Sequence, residues 1–86
     1  MSEQLVASRG VLVNRQRLDV SISQHADERF WRVDVRHPTG WATTGTALDG
    51  DDNFLYHLIC SAVAGEGHAW ESLAHWGNRR INRPVW

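Results

Sequence analysis

The sequence contains no lysine, one cysteine and two prolines, and its formal net charge is −1. Each shortage excludes something. A lone thiol, Cys60, forms no internal disulfide and rules out a metal site built from several thiolates. A net charge so close to zero leaves no global field to draw the chain toward nucleic acid or anionic lipid. No apolar run approaches the roughly 20 residues that span a bilayer. The start, "MSEQLVASRGVLV", lacks the basic opening and apolar stretch of a secretory signal. The expectation is a cytoplasmic protein without membrane contact. All nine basic residues are arginine, and they are scattered. A GC-rich coding sequence explains that bias more simply than selection for planar bidentate recognition.

What is present reads as one small globular domain. With 86 residues, 42 % hydrophobic and 22 % charged, there is room for one thin core and little for a deep cavity beside it. Residues 17–24, "RLDVSISQ", alternate, with Leu18, Val20 and Ile22 on one face and Asp19, Ser21 and Ser23 on the other. That period of two marks a half-buried strand. Residues 29–36 alternate again: Trp31, Val33 and Val35 face inward, and Phe30, Arg32, Asp34 and Arg36 outward. "HPTG" (37–40) combines the fixed φ of Pro38 with a glycine that tolerates positive φ, a turn signal. Residues 41–48, "WATTGTAL", continue as a third strand, where Gly45 marks a bulge or a close backbone approach. "GVLVN" (10–14) suits a further strand that turns back near Asn14–Gln16, although residues 1–16 also allow a helical turn or two.

The apolar inner face needs a cover. Phe54, Leu55, Leu58, Ile59 and Ala62 form a stripe of helical spacing over about 51–64, with Asp49, Asp51 and Asp52 placed to cap its start and Gly65 and Gly67 to end it. "HAWESLAHW" predicts a short second helix over about 68–76, stopped by Gly77, with Trp70, Leu73 and Ala74 on one side. The expected fold is α+β: a small two-layer domain in which an antiparallel three- to four-stranded β-meander is covered by two helices. Residues 1–78 form the domain and 79–86 a basic C-terminal tail.

Four constellations are candidates for function. On the outer sheet face, Arg17, Arg32 and Arg36 with Phe30 resemble the arginine-plus-aromatic surfaces that stack and neutralise a nucleic-acid strand. Asp19 and Asp34 share that face, so cross-strand charge pairing is the simpler expectation. Strands followed by a helix resemble double-stranded-RNA-binding domains in topology alone. That family has lysines at the start of its final helix, where this chain has Asp49, Asp51 and Asp52, so its function is not carried over. His57, Cys60, His68 and His75 supply ligand types for a metal or a small catalytic site, but at no recognised zinc spacing. No nucleophile elbow or phosphate-binding glycine pattern is visible, so no cofactor and no enzyme are expected.

The fourth constellation is aromatic. Five tryptophans in 86 residues exceed the needs of a thin core. Trp31 and Trp70 fall at core positions. Trp41, Trp76 and Trp86, with Arg79, Arg80 and Arg83, are the expected contact surface, since tryptophan and arginine dominate protein-binding hot spots. The resulting expectation is a non-enzymatic protein-binding module, such as an adaptor, an inhibitor or an accessory protein of a phage or mobile element. Its partner is another protein or a second copy of itself. Nucleic-acid binding is the alternative.

Overall fold

A computed structural model of the chain describes residues 3–25 and 29–81. Four strands come first: β1 (Glu3–Val13), β2 (Gln16–His25), β3 (Phe30–Arg36) and β4 (Ala42–Leu48). Two helices follow, α1 (Phe54–Val63) and α2 (Gly67–Ile81). The strands form one antiparallel sheet in the order β1-β2-β3-β4, and both helices lie on one face of it. The expected two-layer α+β meander is therefore what the chain adopts, with four strands.

Local chemistry sets the turns. Asn14 and Arg15 both have positive φ (51° and 68°), which makes a two-residue turn of the mirror-image type that matches strand twist. Between β3 and β4, the amide of Gly40 donates to the carbonyl of His37 at 2.9 Å, and Gly40 takes φ of 100°. His37 is buried there, with its ring nitrogens 2.9 Å from Gln16 Oε1 and 3.0 Å from Thr39 Oγ1. Gly65, at φ 99°, closes α1: its amide donates to the carbonyl of Ala62, and that of Glu66 to the carbonyl of Ser61. This pair of bonds is the Schellman arrangement.

Most of the core is the predicted one; Phe54, expected in the α1 stripe, is instead 63 % exposed, because it opens the helix at the β4 edge, and Trp76, expected on the surface, joins the core. Leu18, Val20, Ile22, Val33 and Val35 are wholly buried beneath Ile59 of α1 and Leu73 of α2. Trp70 is buried as well, and Trp31 is half-buried against the core. Register explains why β1 was hard to read. Leu5 pairs with Ser23 but Ala7 with Ile22, so Val6 is an extra residue that shifts the alternation. Beyond it, Val11 and Val13 face inward as usual.

Two boundaries differ from expectation. α1 starts at Phe54 rather than near 51, because the capping group is Asn53, whose Oδ1 accepts the amide of Leu55 at 2.7 Å. The aspartates act elsewhere: Asp49 accepts from the Trp31 indole and the Tyr56 hydroxyl, and Asp52 lies 3.0 Å from His57. The second difference is larger. α2 does not stop at Gly77 but runs through it to Ile81, so Arg79 and Arg80 belong to a helix and not to a tail. Gly77 serves a close approach. A Cβ there would fall 2.4–2.6 Å from the Cβ and both methyls of Val35. Gly45 is likewise a close approach and not a bulge, since the β3–β4 register is unbroken and a Cβ would meet the Trp76 ring at 2.6 Å.

Gly77→Ala separates these two roles. On helix propensity alone it gains about 1 kcal/mol. Overpacking against Val35 makes the net change a loss of about 1–3 kcal/mol, read as a lowered urea midpoint; a raised midpoint would contradict the packing. Arg15→Gly, which relieves a left-handed arginine, is expected to stabilise by about 0.5–1 kcal/mol in the same assay.

Candidate protein-binding edge

The sheet face opposite the helices carries the arginines, and acids occupy most of them. Arg32 lies 3.3 Å from Glu3 of β1 and 3.2 Å from Asp34 on its own strand. Its guanidinium is held above the ordinary arginine range, chiefly by the Asp34 carboxylate, with Glu3 adding to it. Arg17 lies 3.4 Å from Asp19. Phe30 stacks on His25 with ring centroids 5.1 Å apart. Arg36 is exposed at the end of β3. Paired guanidinium groups are poorly placed to neutralise a phosphate strand, and the acids that pair them add repulsion.

The histidines and the cysteine do not converge. His57 pairs with Asp52 and His68 with Glu66, at 3.0 Å and 3.4 Å. Cys60 is exposed on α1, and His75 is exposed on α2. Among the described residues, no group of three or more His, Cys, Asp or Glu side chains is placed to hold a metal.

The expected tryptophan–arginine surface divides. Trp41 is 71 % exposed at the foot of β4. Trp76 is 9 % exposed: it seats on Gly45, with the Arg80 guanidinium 5.1 Å above its ring. It lies off the apolar stripe by sequence spacing, yet the missing Gly45 side chain makes room for it beneath the helix. Arg79 and Arg80 are exposed in the last turns of α2. Arg83 and Trp86 lie outside the described residues.

Sequence reading missed the element that Trp41 borders, the edge of β4, which pairs with no further strand among the described residues. The amide of Asp49 donates to the carbonyl of Arg29, and that of His37 to the carbonyl of Trp41, at 2.9 and 2.7 Å. These bonds fix the ladder parity. Odd-numbered residues of β4 bond to β3, so Ala42, Thr44 and Thr46 direct their backbone N–H and C=O groups outward. The Leu48 carbonyl is taken by the amide of Asp51 at 3.1 Å. Along this edge runs a shallow cleft of about 300 Å³, lined by Thr44, Thr46, Phe54, Trp76 and Arg80 among others. Trp41 stands at one end, and Leu48 and Phe54, 60 % and 63 % exposed, stand at the other.

The two sheet edges differ in protection. β1 carries the Val6 bulge, and the Arg17 side chain lies across its Gly10. Arg9 is drawn over the Trp70 ring at 5.3 Å. Bulges and charges are the usual guards of an edge strand. β4, "ATTGTAL", has no charge, no proline and no register break. The signal for this was in the sequence, but composition cannot say which strand is an edge.

No helix among the described residues is long and apolar enough to cross a membrane. No protein-family model, no curated protein and no solved structure matches the chain.

The tryptophans should separate on truncation. Trp41→Ala is expected to change stability by less than about 0.5 kcal/mol, and Trp76→Ala to cost about 3–5 kcal/mol, both from chemical unfolding. Equal costs would contradict the burial assigned here.

Proposed function

We propose that this chain is a non-enzymatic protein-binding module and that β4 is its contact element. The observation that carries this reading is an edge strand without a single charge, its outward backbone groups framed by Trp41 at one end and Leu48 and Phe54 at the other. Natural sheets guard such edges unless they are used. An added strand would gain main-chain hydrogen bonds from Ala42, Thr44 and Thr46, and its affinity would come from the flanking aromatics. Arg79 and Arg80 add a basic rim on the helix side, which suits a partner segment with acidic flanks. The cytoplasm is the compartment proposed. The polar side chains along the edge are Thr44, Thr46 and Asn53, with Asp51 and Arg80 as the charged groups, a set that supports recognition by hydrogen bonding and charge.

Acid pairing across the outer face weighs against the nucleic-acid alternative, because Arg17 and Arg32 each already face a carboxylate.

Site-specific photo-crosslinking tests the proposal. A photoreactive residue at Thr46, on β4, is expected to give discrete protein adducts, and the same residue at Ser8, on the β1 edge, to give none. Adducts from neither edge, or equally from both, would remove the basis for choosing β4.

A further inference from the structure

Resting on the reading of β4 as the contact strand, we infer that its occupant is an extended segment of another protein, added antiparallel, that carries a basic residue and, two or three positions later, an acidic one. The edge bears opposite charges along its length. Arg80 stands over Trp76 on the cleft that Thr44, Thr46 and Phe54 line. A second hollow of about 270 Å³ continues this cleft toward Leu48, and Asp51 lines it together with Phe30 and Leu48. Thr46 and Asn53 line both hollows, so the two charges border one groove.

Neither charge is answered from within the chain. Among the described residues, Arg80 and Asp51 take part in no ion pair. The acids beside Asp51 differ from it: Asp49 accepts from Trp31 and Tyr56, and Asp52 faces His57. Asp51 is exposed, and the bond it makes to Leu48 uses its backbone amide and not its carboxylate.

Sheet geometry turns these positions into an order of residues. Antiparallel addition continues the pattern of the existing sheet and uses the outward groups of Ala42, Thr44 and Thr46. In such a pair, side chains directly opposite one another share a face. Position 45 faces the helix layer, where a Cβ would meet the Trp76 ring. The residue opposite Gly45 therefore points toward Trp76 and the Arg80 guanidinium above it, where an acid is matched. The incoming chain runs against β4, so the residues opposite Ala47 and Leu48 precede that acid by two and three positions. They arrive next to Asp51, where a base is matched. A long basic side chain also lays its methylene stem along Phe30 and Leu48. The reverse order sets acid against Asp51 and base against Arg80, so the charges select the direction of the added strand. A second copy of β4 does not supply this pattern. The strand has no charge, and a two-fold axis at Gly45 would set Arg80 against its own image.

The test is to pan a display library of random linear peptides about 12 residues long, enough for one strand, on the full chain. Enriched peptides are then synthesised and titrated by fluorescence anisotropy. Base-then-acid pairs at this spacing are expected, and bound peptide is expected to slow the Ala42, Thr44 and Thr46 amides in hydrogen exchange at least about 10-fold. Asp51→Lys and Arg80→Glu, each with an unchanged circular dichroism spectrum, are expected to weaken these peptides about 3-fold or more. The double variant is expected to enrich the reversed order, acid before base. Peptides that protect the β4 amides but carry no such pair, or that bind both single variants like the wild type, overturn this inference and leave β4 as the contact strand. Peptides that leave those amides exchanging freely, or no enriched peptide at all, also overturn it, and the crosslinking at Thr46 then decides the β4 reading separately.

Discussion

The close seating of α2 on the sheet governs everything else in this molecule. It depends on two missing side chains. At Gly77 the helix backbone presses on Val35, and at Gly45 the strand admits the ring of Trp76. Interiors pack at crystal-like density, so a chain with so little core gains much by removing even a methyl-sized gap. Thr43 seals the junction by donating its hydroxyl to the Gly77 carbonyl at 3.1 Å, so that a polar side chain on the inner face is satisfied. Ala69 and Ala74, both fully buried, keep the rest of the helix face equally low.

A helix seated this way spends the apolar side of the sheet and fixes what remains outside. On the far face, Arg17 pairs with Asp19 on its own strand, and Arg32 with Asp34 on its own strand and with Glu3 two strands away. The edges remain. β1 is bulged and bears charge, whereas β4 is plain, and the indole that was expected to be free for binding, Trp76, instead shapes the wall of the β4 cleft. The contact surface therefore shifts from a tryptophan-rich tail to a strand edge with aromatic ends. It is a backbone surface first and a side-chain surface second.

Much of the fold was legible because its signals are periodic. Strict alternation in β2 and β3 named the buried valines, Leu18 and Ile22, and the i, i+4 stripe of Leu55 and Ile59 named the face of α1. Two kinds of feature resisted. One was the meaning of glycine: Gly77 carries the same letter whether it ends a helix or lets it approach a neighbour, and only the partner across the gap, Val35, decides. The other was edge status. β4 showed its lack of charge in the sequence, but strand order and ladder parity are non-local, so the outward amides of Thr44 and Thr46 could not be seen. Trp41 was legible as exposed because it follows a turn. Leu48 and Phe54 were not: Leu48 ends β4 on the side away from the helices, and Phe54 opens the α1 stripe at the β4 edge, where the sheet no longer lies beneath it.

The most direct measurement is the proton chemical shift and cross-relaxation of Gly45 and Gly77 in solution. With α2 seated as described, the Gly45 Hα protons lie against the Trp76 ring and are moved well away from their random-coil position, and Gly77 Hα shows strong cross-peaks to both Val35 methyls. Gly45 Hα resonances at ordinary glycine positions, with no Gly77–Val35 cross-peaks, would mean that the helix stands off the sheet, and the burial of Trp76 and the form of the β4 edge would both be wrong.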